Sequence, residues 1–173
     1  MQQTTATKLA APRWEDHPAL LIGGLREHYT AQSVNDIGNQ WQRLAPYFGR
    51  IPGQVGRAAY GLVLGRQNGV DGFDYLAGVE VADGASLPAG FTTVELPSLR
   101  YAVFDHHEHV SKLKDTMSAI WRHWLPASGH EPAGEKGSGD GPGMVEFYGE
   151  EFDPQTGLGG IEVWLPVKAA WGE

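Results

Sequence analysis

The chain has 173 residues, 41% hydrophobic and 20% charged, the balance of a globular protein with one substantial core or two small modules. Its net charge of -8 disfavours a phosphate-binding surface, which needs clustered lysine and arginine, and suits neutral or cationic ligands instead. It has no cysteine, which excludes disulfides and thiolate chemistry and fits a reducing cytoplasm, and no apolar run nears the roughly 20 residues of a membrane helix.

Residues 1–12 lack the long apolar region of a secretory signal and read as a loose tail, leaving one domain over 13–173. The first element is a short apolar strand, Ala19 to Leu25. Ser33 then opens a helix with Asp36 one turn on, and Val34, Ile37, Trp41 and Leu44 fall on one face before Pro46 stops it. Strands Ala58 to Gly65 and Tyr75 to Val81 follow. The stretch GLVLGRQNG within them lacks the Lys-Ser/Thr of a phosphate loop and reads as a hairpin. ADGASLPAGF, residues 82–91, is a turn-rich linker. The second half has a strand from Arg100 to Asp105, then a helix capped by Ser111. Leu113, Met117, Ile120, Trp121 and Trp124 form its stripe, and Pro126 stops it. Strands Met144 to Tyr148 and Gly160 to Val167 close the chain, and residues 130–143, HEPAGEKGSGDGPG, are expected to be a mobile loop.

Compared with itself, the sequence shows a weak duplication at an offset of about 80 residues. EDHPALLIGGL from Glu15 matches ELPSLRYAVF from Glu95, WQRLAP from Trp41 matches WRHWLP from Trp121, and AGVEV around Glu80 matches GGIEV around Glu162. The fold class implied is α+β: tandem duplicated β-α-β-β modules, 13–83 and 91–168. Each would carry one main helix on a three-stranded antiparallel sheet, related by a pseudo-twofold with a central ligand cleft at the seam.

The repeated glutamate is the candidate site. In an extended segment alternate side chains face opposite sides, so Ile161, Val163 and Leu165 belong to the core while Glu162 and Trp164 share the other face. Val79 and Val81 are the corresponding core pair, with Glu80 opposite. The preceding strand, VEFYGE, brings Glu146 and Tyr148, again on a common face. One solvent-facing glutamate needs no explanation. Recurrence in both halves, aromatic company and the space that Gly78, Gly159 and Gly160 leave over the sheet favour a ligand. A carboxylate among aromatic rings recognises cationic aromatic compounds through stacking, cation–π attraction and counter-charge. Binding a cation also offsets the cost of burying an unpartnered acid. Trp41, Trp121 and Trp124 read as helix-to-sheet core, Trp41 reaching the cleft and Trp121 a further candidate contact. Tyr60 and Tyr75 either line the cleft or fill the core.

His106, His107 and His109 with Glu108 invite a metal reading. Only His107 and His109 share a face, so a solvated strand end is expected there and no metal or cofactor. No axial haem ligand and no Ser-His-Asp elbow stand out either.

PSLRYAVFDHHEHVSKLKDTMSAIWRHWLPASG, followed by VEFYGE and GGIEVWLPV, resembles the GyrI-like small-molecule-binding domains, the effector-binding domains of bacterial multidrug-responsive transcription regulators. The likeness covers Val94 to Val167 well and the first half through its shared plan; WLP-x-SG with the closing E-x-W-x-P-V is its most specific piece. The resemblance implies two modules around a cleft for hydrophobic, often cationic, drug-like compounds. Glu162 falls on the acid of the cleft floor, with Glu146 and Tyr148 from the preceding strand. Some members are implied to be hydrolases of cyclopropane-bearing alkylating compounds, which would make Glu162 a general base. The chain departs from the family's H-x-G-x-Y turn, where His106, Glu108 and Val110 stand. Without a helix-turn-helix it reads as a stand-alone cytoplasmic binding protein that touches neither nucleic acid nor membrane. Binding of a cation, with Glu162 as chief charge partner, is placed ahead of hydrolysis.

Overall fold

Alternating apolar residues build the strands of this chain and apolar stripes build its helices, and a computed structural model describes residues 9–64, 72–133 and 142–168. The strands are β1 (Arg13–His17), β2 (Leu20–Tyr29), β3 (Gln54–Leu64), β4 (Phe73–Val81), β5 (Thr92–Leu96), β6 (Leu99–His106), β7 (Pro142–Tyr148) and β8 (Ile161–Val167). Helix α1 (Ile37–Leu44) lies between β2 and β3, and α2 (Leu113–Ala119) and α3 (Leu125–Ser128) lie between β6 and β7.

In place of two separate three-stranded sheets, all eight strands form one sheet in the order β1-β6-β8-β7-β3-β4-β2-β5, every pair antiparallel. The strand that opens each half of the sequence crosses to the other: β1 pairs with β6, and β5 pairs with β2. Neither β1 nor β5 is foreseen by the sequence reading. Only Pro18 and Ala19 join β1 to β2, and only Pro97 and Ser98 join β5 to β6, although each pair stands near opposite ends of the order. Such short connections require the sheet to curl until its ends approach.

The curl encloses one core. Ile22, Leu62, Leu76, Leu96, Tyr101, Val103, Val145 and Trp164 are buried there, drawn from strands at both ends of the sheet. The outer face carries the helices. Under α1 lie Leu44, Ile51, Tyr75, Ala77, Val79 and Val81; under α2 and α3 lie Phe104, Leu113, Ile120, Leu125, Ile161, Val163 and Leu165. Each fully buried leucine or isoleucine here contributes roughly 1.5–3 kcal/mol of transfer free energy. Trp41 and Val63 pack against both helix-covered clusters and so mark the seam between them.

The helix signals hold in part. Pro46 does end α1, its residue lying in the short 3-10 turn that follows. Ser33 stands at the start of the first helical turn without capping it; its hydroxyl accepts the Thr30 amide instead. In the second half His109, not Ser111, caps: its ring nitrogen accepts the Ser111 amide. Pro126 does not stop the helix, which runs on to Ser128 and closes at left-handed Gly129. A π-helical turn over Ile120–Trp124 precedes the proline, with the Leu125 amide bonded to the Ile120 carbonyl. This wider turn makes room for a proline ring that would crowd an ordinary helix. The turn of GLVLGRQNG and most of the 130–143 stretch lie outside the described residues. Among the described residues no helix is long and apolar enough to cross a membrane.

Candidate ligand-binding site

Sheet register decides which candidate residues meet. One row across the sheet reads Ala77–Gly61–Glu146–Val163, and the next reads Val79–Ala59–Tyr148–Ile161. Glu146 and Tyr148 thus share the helix-covered face with Val163. A third row reads Gly78–Tyr60–Phe147–Glu162–Asp105 and belongs to the inner, curled face. The nine candidate residues therefore do not form one site. Glu146, Tyr148, Tyr75 and Trp41 gather on the outer face at the seam between the helices, while Glu162, Trp164 and Tyr60 lie on the inner face and Glu80 sits by alternation on that side too. Trp121 packs against the core under α2 and does not line the cavity described below.

At the seam, Glu146 Oε1 accepts two hydrogen bonds, from the Tyr75 hydroxyl at 2.6 Å and the Tyr148 hydroxyl at 2.8 Å. The Trp41 indole donates in turn to the Tyr75 hydroxyl at 3.0 Å. Tyr75 stands on β4, two strands from Glu146, and spans the intervening β3 at Gly61. A β-carbon at Gly61 would collide with the Tyr75 hydroxyl and would sit 2.7 Å from Glu146 Oε1. Glycine at this position is what lets the two side chains meet. Beneath them Gln40, fully buried, donates to the Leu25 and Tyr75 carbonyls and accepts from the Tyr29 hydroxyl, which fixes α1 and Trp41 against β4.

Burial pushes the Glu146 carboxyl above its ordinary value, and the two tyrosine hydroxyls pull it part of the way back. Burial, followed by the Glu146 charge, pushes the Tyr75 and Tyr148 hydroxyls well up, so both stay protonated donors. Among the described residues nothing bonds Glu146 Oε2.

Next to this cluster the outer face opens into a cavity of about 510 Å³. Its walls are Trp41 on α1, Ala45 and Phe48 after it, Ala59 on β3, Val110 at the start of the second helical stretch, Tyr148 at the end of β7 and Phe152 beyond it. The Trp41 and Tyr148 rings stand edge to face with centroids 5.4 Å apart, and Tyr148 and Phe152 lie 5.1 Å apart. Arg57, Gln42, Glu150 and Pro154 complete the lining. Sequence reasoning overlooked Gly61, Phe48 and Phe152. An isolated glycine inside the GLVLG strand is the one signal that points to a close approach there.

The inner-face residues have other work. Trp164 is buried and stacks on His17, with ring centroids 4.5 Å apart. Its indole donates to Glu162 Oε1 at 2.9 Å, and Arg13 Nη2 donates to Glu162 Oε2 at 2.9 Å. Arg13 also binds both oxygens of Asp105 at 2.8 Å and Glu15 at 3.1 Å. The Asp105 carboxylate is the largest cause raising the Arg13 guanidinium above its ordinary value. Through Arg13, Asp105 anchors β1 to β6 and Glu162 anchors it to β8. Tyr60 fills the inner core, where burial, with smaller contributions from Glu80 and Glu162, pushes its hydroxyl up to about 12.

Two further expectations are corrected. Gly78, Gly159 and Gly160 do not leave ligand space: a β-carbon at Gly78 would collide with the Gly23 carbonyl, and Gly159 and Gly160 hold left-handed turn conformations against Glu151. His106 is not at a solvated strand end but buried, bonding Thr116 Oγ1 at 2.8 Å and the His109 carbonyl at 3.0 Å.

Residues 10–168 match the family described as GyrI-like small molecule binding domain. The chain is similar to the transcriptional regulator BrlR of Pseudomonas aeruginosa, 29% identical over 157 residues that cover 88% of this chain and 53% of that protein. It therefore spans about half the length of this curated relative. Among solved structures, SAV2435 bound to tetraphenylphosphonium is similar with a TM-score of 0.70 at 19% identity, over 92% of this chain and 95% of that one. The EcmrR C-terminal domain is similar with a TM-score of 0.63 at 14% identity, over 91% of this chain and 97% of that one. At these identities the structural likeness is one of fold.

Proposed function

Because the chain belongs to the GyrI-like small molecule binding domain family, we propose that it binds a hydrophobic aromatic cation in the cavity beside Glu146. The observation that carries this reading is a half-buried carboxylate beside an aromatic-walled cavity, with one oxygen held by two tyrosines and the other without a bonding partner among the described residues. The hydroxyl bonds stabilise the charge, burial opposes it, and an entering cation removes that opposition. Rings at the wall add stacking and cation–π attraction. Tetraphenylphosphonium, the ligand of SAV2435, has this chemistry: a delocalised positive charge inside an apolar shell.

Glu162 supports the reading less well, since both of its oxygens are bonded, one to Arg13 and one to Trp164. Glu162 is also the general base of the hydrolase reading, and with its charge already held by Arg13 no observation favours that reading. The strand order runs β7-β8-β6-β1 one way from the β3–β7 boundary and β3-β4-β2-β5 the other, which supports reading the two halves as duplicated modules.

Calorimetric titration with tetraphenylphosphonium tests the proposal. Saturable binding is expected, weakened roughly tenfold or more in Glu146→Gln, as when one partner of a buried charge contact is removed. Equal affinity in the variant, or no binding by the native chain, overturns it.

A further inference from the structure

We propose that Arg57 at the cavity mouth selects among the ligands of this site, favouring aromatic cations that carry an anionic group at their far end. This inference rests on the reading of the Glu146 cavity given above.

The position of Arg57 is built by the backbone. The β3–β4 register jumps between Gln54 and Ala59, and Gly56 within the bulge holds a φ of 71°. On the other side the β3–β7 ladder stops at Ala59 and Tyr148. Arg57 is left exposed at the lip, lining the same cavity as Tyr148 and Phe152. Among the described residues it makes no hydrogen bond or ion pair. Gly61, which lies over Glu146, is four residues along the strand, about 13 Å at full extension. A carboxylate beside the cavity and a guanidinium at its lip thus stand on backbone positions no further apart than roughly the length of a fused-ring dye.

Guanidinium is charged throughout the working pH range and its planar fork suits a carboxylate. A ligand with a delocalised cation at one end and a carboxylate at the other satisfies both charges, whereas a dication brings its second charge against Arg57. Glu150 is the opposing influence. One more cross-strand step would set it opposite Arg57, but the chain turns at Gly149, whose amide bonds the Gly160 carbonyl, and no Arg57–Glu150 ion pair forms. Its carboxylate faces the same mouth and repels an anionic group, so removing it works in the opposite sense from removing Arg57.

Rhodamine B and its ethyl ester share one cationic ring system and differ by a single carboxylate, which makes them the probe pair. Fluorescence anisotropy titrations at neutral pH of the full chain and of Arg57→Gln, Glu150→Gln and Glu146→Gln decide the matter. Arg57→Gln is expected to shift the ratio of the two dissociation constants toward the ester by roughly two- to fivefold, the size of a partly exposed ion pair. Glu150→Gln is expected to shift it toward the free acid. A ratio unmoved in both variants, or moved toward the acid by Arg57→Gln, overturns the assignment. If Glu146→Gln weakens both dyes while Arg57→Gln leaves the ratio alone, only the role of Arg57 falls. If neither dye binds the native chain, or Glu146→Gln weakens neither, the cavity reading falls and this one with it.

Discussion

Tyr75 on β4 and Glu146 on β7 are not sheet neighbours, yet their side chains meet at 2.6 Å over the bare backbone of Gly61. The contact ties the α1 side of the sheet to the α2 side at the place where the two helix-covered cores adjoin. Trp41 joins the same cluster from α1, so one wall of the cavity and the position of the half-buried carboxylate beside it are fixed by a single set of bonds.

Gly61→Ala tests that arrangement. The new methyl group would displace the Tyr75 hydroxyl and crowd Glu146. Overpacking of this kind costs about 1–3 kcal/mol, and denaturant titration of the native and variant chains should return a loss in that range. Affinity for tetraphenylphosphonium should fall as well, because the carboxylate loses its Tyr75 partner. A variant with native stability and native affinity would show that the close approach at Gly61 carries nothing.

The raised Glu146 carboxyl gives a pH dependence of definite sign. Its folded value lies above the ordinary 4.5, so its contribution to stability is fully present below 4.5 and is lost as pH rises through the folded value. Native chain should therefore lose stability relative to Glu146→Gln over that interval. Cation affinity runs the other way, since only the ionised acid supplies counter-charge: it should climb across the interval and level off above it. Tyr75 and Tyr148 do not titrate there, both being pushed well above 10.0. Titrations repeated from pH 4 upward check both slopes, and a variant with the same rising affinity would assign the effect to another group.

Much of the architecture was legible and the site only partly so. Helix stripes such as Leu113, Ile120 and Trp124, and alternation such as Ile161, Val163 and Leu165, placed the helices on the correct strand faces, because burial imprints its period on the residues themselves. Alternation within a strand does not say how one strand registers against the next. Glu146 stands opposite Val163 in the ladder, so it sides with the core residues of β8 and not with Glu162. Nothing local to VEFYGE or GGIEVWLPV specifies that offset. The exchange of β1 and β5 between the halves was hidden for a similar reason, since pairing with a distant partner leaves little trace in a five-residue strand. Pro126 misled because a wider helical turn absorbed it.

Arg13 bridges Glu15, Asp105 and Glu162, and it belongs to the strand that crosses between the halves. Arg13→Ala leaves three carboxylates without their counter-charge and loosens the packing of β1 on β6. The cluster is partly exposed, so solvent screening limits the loss to about 1 kcal/mol. Thermal denaturation at low and high salt should show the gap between native and variant narrowing as salt weakens the bridges in the native chain and the repulsion in the variant. A gap independent of salt would mean that β1 is held by packing alone.

Glu162→Gln separates the two faces of the sheet. Glu162 binds Arg13 and Trp164 on the inner face, and the cavity opens on the outer one, where Glu146 lies between Gly61 and Val163 and Tyr148 between Ala59 and Ile161. The amide can still accept from Trp164 or Arg13 but no longer carries the charge, so a small stability loss of about 1 kcal/mol is expected, sensitive to salt. Tetraphenylphosphonium affinity should stay within about twofold of native, because a charge on the far face of the sheet is screened from the cavity by packed side chains and solvent. Glu146→Gln should give the reverse pattern, with affinity lost and stability kept or improved at pH above the raised Glu146 value, where ionisation works against burial. Stability and affinity measured on the two variants together assign the charge partner. Affinity lost in Glu162→Gln and kept in Glu146→Gln would move the ligand to the inner face, against the tyrosine-held carboxylate at the seam.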